Sequence, residues 1–285
     1  MVATSPALIH RRSLRIGIVG FGPFAQFLAE AMLRQGHSLT ATSRSDHSQR
    51  CSQMGINFLK DATEFLENEN EIVLLCTSIV SLEEVLRSLP IGRCRSPRLF
   101  VDVLSVKEHP RELLLQLLPE EADVLCTHPM FGPESGKHGW AGLPLVFERV
   151  RIRDHPLCVE FLEIFQREGC RMVEMPCEEH DRMAARSQFL THTVGRVLSE
   201  MELEPTPIDT KGFQTLLQLR DNTLKDSLDL YLGLFRHNKF AKEELEKLEA
   251  AFQSVKNRLM EKISEEALAA QSAVPSSASA ARGRA

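Results

Sequence analysis

Residues 14–25 read LRIGIVGFGPFA, a short apolar run that ends abruptly in two glycines and a proline. Alternating apolar residues predict a buried strand, and the FAQFLAEAMLRQG that follows has the spacing of an amphipathic helix closed by Gly36. At that junction Gly20, Gly22 and Ala25 match G-x-G-x-x-A. The first glycine permits a tight turn, the second lets backbone approach a pyrophosphate, and Ala25 keeps helix and strand close. Pro23 at the first helical turn removes no donor the helix uses, so the amides at the helix start remain free to face phosphate. Phe21 and Phe24 fill the remaining positions of the turn. This placement predicts a dinucleotide-binding βαβ unit.

Working outward, SLTATSR reads as the second strand and EIVLLCTS as a buried one. RLFVDVLS, ADVLCTHP, PLVFERVRI and CRMVEMP continue the series, with helices such as SLEEVLRSLP, HPRELLLQLLP and HPLCVEFLEIFQREG between them. Repeated strand–helix units predict an α/β fold, a Rossmann-type doubly wound parallel sheet. After Cys177 the strand signals stop. EEHDRMAARSQFLTHTVGRVLSEM reads as one long helix, residues 211–238 as a second and residues 241–263 as a third. The expected organisation is an N-terminal tail (1–12), a dinucleotide-binding domain (13–176), a helical domain (177–264) and a disordered Ala/Ser-rich tail (265–285). A helical part this small hides little surface alone, which points to a homodimer through it.

The second strand ends in Ser43-Arg44-Ser45 where an NAD site would carry an acidic residue about 20 residues beyond the glycines. A guanidinium between two hydroxyls suits the 2′-phosphate of NADP, which a carboxylate would repel. Asp46 follows closely, so a solvated loop is the competing explanation. Thr77 and Ser78, at the end of EIVLLCTS, join the expected cofactor-binding set.

The net charge of −5 and pI near 6.1 give no basic footprint for nucleic acid. The longest apolar run, Ile72–Val80, is too short to span a bilayer. Seven scattered cysteines without C-x-x-C indicate reduced thiols, and the histidines lack metal-ligand spacing, so no metal is expected. The N-terminus lacks an apolar signal region, and the chain begins almost at the first strand; that favours a cytoplasmic protein over a plastid one.

The stretch CTHPMFGPESG, residues 126–136, places His128 between an apolar strand and a loop stiffened by Pro129, Gly132 and Pro133. The neighbourhood alone leaves two readings open, an acid/base group or a loop residue bonded to backbone. Taken with GIVGFG, ATSRSD, FVDVLSVKE, RSQFLTH, PIDTKGF and DSLDLYLGLF, in this order over residues 14–260, the chain resembles the plant arogenate/prephenate dehydrogenases of tyrosine biosynthesis.

That resemblance implies oxidative decarboxylation of a cyclohexadienyl alcohol, with arogenate giving tyrosine and prephenate giving 4-hydroxyphenylpyruvate. It puts the catalytic histidine on His128 and its partner serine on Ser105. An imidazole neutral near pH 7 suits a hydroxyl that must lose its proton as C4 gives up hydride. The resemblance also places Gln188, Thr210 and Lys211 around the substrate; Lys211 is suited to a substrate carboxylate as a point charge. His192, four residues beyond Gln188, is read as a packing or orienting residue.

In the plant members an Asp before S-x-D-L-Y accompanies arogenate preference and tyrosine inhibition, and Asp226 occupies that position. Its carboxylate suits the ammonium that arogenate and tyrosine carry and prephenate lacks. The chain departs from the family pattern at Arg220-Asp221-Asn222-Thr223, where V-E-N-T is usual, and at Leu232, where a second Tyr is common. Arogenate is therefore the expected substrate and prephenate the alternative, with the chloroplast, typical of the family, as the alternative location. A non-catalytic NADP-binding sensor is the reading from another class.

Overall fold

The computed structural model describes residues 12–93 and 98–272. The described residues up to Ala241 form one compact unit and those from Lys242 to Ser272 a second. The first unit holds an eight-stranded sheet of β1 (Arg15–Val19), β2 (Ser38–Thr42), β3 (Asn57–Phe58), β4 (Ile72–Leu75), β5 (Leu99–Asp102), β6 (Asp123–Pro129), β7 (Pro144–Arg151) and β8 (Arg171–Glu174). The order is β3-β2-β1-β4-β5-β6-β7-β8. Its first six strands follow the 3-2-1-4-5-6 order of the dinucleotide-binding fold, and all pair in parallel.

One departure from an all-parallel sheet appears at its far side. β7 runs antiparallel to β6 and parallel to β8. The link from Pro129 to Pro144 carries only the short helix noted below, Pro133–Gly136. A parallel return normally uses a full crossover helix packed on the sheet, which this link does not contain. The chain here simply turns back.

The helices of the sheet region are α1 (Pro23–Arg34), α2 (Ser48–Met54), α3 (Ala62–Glu67), α4 (Leu82–Ser88), α5 (Glu108–Leu117), α6 (Pro133–Gly136) and α7 (His155–Arg167). α2, α3 and β3 escape the sequence reading because each is short and weakly apolar; α3 is fixed by Asp61, whose side chain accepts from the Thr63 and Glu64 amides. α1 buries Ala25, Leu28, Ala29 and Met32 against the sheet, and α7 buries Phe161 and Phe165. Each of those phenylalanines, fully removed from water, contributes roughly 1.5–3 kcal/mol. Trp140 stacks on Phe165 at 5.6 Å and ties the β6–β7 link to the core.

Beyond β8 the chain is helical: α8 (Cys177–Ala184), α9 (Leu190–Glu200), α10 (Lys211–Leu224), α11 (Leu228–Arg236) and α12 (Ala241–Ser272). A π-helical turn at Ala185–Phe189 joins α8 to α9 without a break. The single helix expected over 211–238 is two, because Ser227 caps α11 by accepting from the Leu230 amide at 3.2 Å. Asp226 therefore lies in a turn between helices, not within one. The helix expected to stop at Ile263 runs to Ser272, so the stretch read as a disordered tail begins in helix; residues 273–285 and most of the N-terminal tail lie outside the described residues. In the second unit α12 exposes Phe252, Val255, Leu259 and Ile263 at spacings of three and four.

Candidate active site

The glycine turn after β1 has the geometry a dinucleotide needs. Gly20 has φ +86°, and a Cβ there would sit 2.7 Å from the Cys76 carbonyl oxygen. Its amide donates to the Thr42 carbonyl at 2.8 Å, which ties the turn to the end of β2. Gly22 caps α1 in extended conformation, and a Cβ there would meet no protein atom within 4 Å. The space is open, as the close approach of a pyrophosphate requires. Thr77 lies against Gly20, and its hydroxyl is buried without a partner among the described residues. Ser78 is bonded to Ser81 at 2.6 Å. These residues fit a nicotinamide dinucleotide: the turn and the start of α1 would hold its pyrophosphate.

At the end of β2, Arg44 is exposed and lies 3.9 Å from Glu84. The Ser43 and Arg44 carbonyls accept from Lys60 Nζ, a cation the sequence did not bring forward because it lies a strand away. Asp46 faces elsewhere: its Oδ1 accepts from the Ser48 amide at 2.9 Å, and that bond holds its carboxyl below the usual range.

His128 stands on β6, every residue of which is buried, and is itself 2% exposed. Burial lowers its pKa well below 6.5, and the nearby His180 and Lys107 push in the same direction. The ring is uncharged at neutral pH. His128 Nδ1 lies 2.8 Å from His180 Nε2, and His180 Nδ1 lies 2.8 Å from Asp181 Oδ1. Asp181 accepts from the Lys107 amide at 2.8 Å and the Glu108 amide at 2.9 Å, at the start of α5. An anion there is favoured by the exposed amides of the first turn. His180 and Asp181 were missed by the sequence reading. Their only signal was the adjacent His-Asp pair, which gives no hint that α8 folds back under β6.

Below this chain Lys107 is 1% exposed. It donates to the Asp102 carboxylate and to the Thr127 carbonyl. Ser105, half-buried, sits on the loop from β5 into α5 at the same carboxyl edge of the sheet as His128. Among the described residues no hydrogen bond joins the two.

The expected substrate residues separate into two groups. Gln188 lies on the π-helical turn, a feature often found at functional sites. Gln188 Oε1, His192 Nδ1 and Arg196 Nε, at four-residue steps along this helix, are all buried without a hydrogen-bond partner among the described residues. His192 Nε2 is 3.7 Å from Asp226 Oδ2, and burial raises the Asp226 pKa while His192 and Arg196 oppose it. Arg196 donates to the Asp226 and Ser227 carbonyls at 3.3 Å and lies over the Tyr231 ring at 4.8 Å. His192 thus lies beside Asp226, and Gln188 stands four residues before it along the same helical run. Thr210 and Lys211 are apart from them: Thr210 caps α10 by accepting from the Phe213 amide, and Lys211 is exposed. Among the described residues neither makes a hydrogen bond or ion pair with the His128 or Asp226 clusters.

Residues 28–143 match the family described as prephenate dehydrogenase, nucleotide-binding domain, and residues 197–271 match the TYRAAT1-like, C-terminal domain. Arogenate dehydrogenase 2, chloroplastic, of Arabidopsis thaliana is 53% identical over 256 residues, 88% of this chain and 72% of that protein. The chain belongs to the arogenate dehydrogenase family. Arogenate dehydrogenase 1, chloroplastic, from the same plant is 56% identical over 86% of this chain, which spans only 39% of that relative's length. A solved prephenate dehydrogenase from A. aeolicus superposes with TM-score 0.71 at 17% identity, covering 92% of this chain and 96% of that one. Synechocystis arogenate dehydrogenase gives 0.63 at 20%, covering 89% and 93%. At such identity the likeness establishes the fold, a Rossmann-type sheet followed by helices. Family membership then gives the buried histidine and the glycine turn a common setting.

Proposed function

We propose that this member of the family oxidises and decarboxylates arogenate to tyrosine with NADP, His128 acting as the base. The observation that carries the chemistry is His128 itself, a buried imidazole uncharged at neutral pH on the carboxyl edge of a sheet whose first strand ends in a phosphate-binding turn. When bound, the nicotinamide supplies the hydride acceptor. His128 takes the C4 hydroxyl proton as the C4 hydrogen leaves with its electron pair; the O–H bond breaks and an N–H bond forms. Loss of the ring carboxylate as carbon dioxide then leaves its electron pair in the ring, which becomes an aromatic phenolate, and the proton held on His128 returns to that oxygen to give tyrosine. Ser105 holds the reacting oxygen or the nicotinamide amide.

Gln188, His192 and Arg196 present three buried polar atoms that a polar substrate would satisfy. Asp226, at the edge of this group, pairs with the arogenate ammonium. The resemblance also assigns Thr210 and Lys211 to the substrate, though they stand apart from this group at the start of α10, and exposed Val197, Met201 and Leu228 near the α9 to α11 helices support a homodimer that covers them. No helix among the described residues is long and apolar enough to cross a membrane. The two plant relatives carry chloroplastic names, which favours the chloroplast as this chain's location.

Formation of reduced cofactor with each substrate tests this proposal: arogenate with NADP should give the higher kcat/KM. A higher value on prephenate would move the assignment to prephenate dehydrogenase, and no turnover with either would favour a sensor. Asp226→Asn should lower the arogenate-to-prephenate preference by about 10–100-fold, the worth of one charge-assisted hydrogen bond, and weaken tyrosine inhibition. Unchanged preference would remove Asp226 from the site. Arg44→Asp should reduce kcat/KM with NADP by about 10–100-fold on the same grounds and leave NAD turnover intact or improved. Equal loss with both cofactors would show that Arg44 serves the fold and not the 2′-phosphate.

A further inference from the structure

The unassigned feature nearest the chemistry is the chain His128–His180–Asp181. Asp181 contacts two backbone amides: Oδ1 accepts from Lys107 and Oδ2 from Glu108. Both oxygens are therefore acceptors. His180 Nδ1, 2.8 Å from Oδ1, must carry a hydrogen and donate it. In a neutral imidazole the other nitrogen is then a bare acceptor. That nitrogen, His180 Nε2, faces His128 Nδ1 at 2.8 Å, so His128 Nδ1 must be the donor. The remaining nitrogen of His128, Nε2, is left with its lone pair.

We propose that His180 and Asp181 are positioning residues that fix His128 in the tautomer protonated at Nδ1 and so make Nε2 the basic atom. The assignment rests on the reading of His128 as the base, but the tautomer itself can be observed without turnover. The groups around the chain agree with it. Asp181 is 0% exposed and anchored to the first turn of α5, and its carbonyl accepts from Asn238 at 2.7 Å, so it is held from two sides. Lys107, which could otherwise compete for Asp181, is turned to Asp102 and Thr127. When Nε2 gains the substrate proton, the imidazolium still donates through Nδ1 to His180, and the positive charge faces the Asp181 carboxylate through one ring. No bond within the chain has to break.

Long-range proton–nitrogen NMR of the full chain labelled in histidine, with His128 assigned by its loss in His128→Asn, reads the tautomer directly. Wild type should carry the His128 proton on Nδ1. Asp181→Asn, whose amide nitrogen can donate to His180 Nδ1, should reverse both rings. Its kcat should fall by about 10²–10⁴-fold with substrate KM and cofactor affinity nearly unchanged, as expected when a base is locked in the wrong tautomer. His180→Gln keeps an acceptor for His128 and should recover much of the activity that His180→Phe loses. A wild-type His128 protonated on Nε2 overturns the proposal, and so does a folded Asp181→Asn with unchanged tautomer and kcat. Should Asp181→Asn fail to fold, the wild-type spectrum and the glutamine–phenylalanine comparison still decide. Wild-type inactivity on both substrates would defeat the functional proposal while leaving the tautomer measurable.

Discussion

His128→Asn is expected to lower kcat by about 10²–10⁴-fold while the protein still binds NADP. That is about 3–5 kcal/mol of transition-state stabilisation, the share a positioned general base supplies. The expectation follows from burial. His128 is neutral because its site disfavours the cation, so it is ready to accept a proton across the neutral range. Asparagine keeps a polar group near His180 without a basic nitrogen, which separates loss of the base from loss of packing. Cofactor binding should survive, since the glycine turn lies on β1 and His128 on β6, with two strands between them in the sheet. Stopped-flow measurement of reduced cofactor gives the rate, and fluorescence titration gives the affinity. Turnover within about tenfold of wild type would remove His128 as the base.

The second large effect is on stability. Lys107→Met should destabilise the fold by about 3–5 kcal/mol, because it leaves the Asp102 carboxylate buried without its cation. Asp102 is 0% exposed, and burial already raises its pKa, with Lys107 opposing that rise. Removing Lys107 raises it further. A carboxyl whose folded pKa exceeds its unfolded value contributes full stability below the unfolded value and loses it as pH rises through the folded one. The deficit of Lys107→Met should therefore shrink as pH falls, and urea midpoints across pH would show it. In Asp102→Asn/Lys107→Met the charge is absent, so the double variant should lose less than the single one. Equal losses in both, with no pH dependence, would mean that Lys107 contributes packing alone.

These two residues show what was readable before the structure. His128 draws notice in the sequence because a histidine between an apolar strand and a rigid loop stands out, and because its neighbours match a family in order. Lys107 lies in the same quoted stretch, FVDVLSVKE, yet nothing marked it as buried. A lysine five residues from an aspartate is usually solvated, and only the loop from β5 into α5 turns its side chain beneath β6. His180 and Asp181 were invisible for a related reason. Their partners lie 52 and 74 residues away in sequence, and periodicity reports only which face of a helix is apolar. The antiparallel direction of β7 was not legible because an apolar strand does not encode its direction; the structure shows that the link before it carries no crossover helix.

By itself, then, the sequence determined the dinucleotide-binding sheet, since the glycine turn and the alternation of strand and helix are local properties set by sterics and burial. It also singled out the arginine after β2 and the histidine on β6 as the residues whose roles are proposed above. Only the tertiary structure decided that Asp226 occupies a turn beside His192, that Asp46 is drawn away to α2, and that the histidine is backed by a second imidazole and a carboxylate. Those are contacts between segments far apart in the chain, and hydrogen bonds of that kind exist only once burial has brought the segments together.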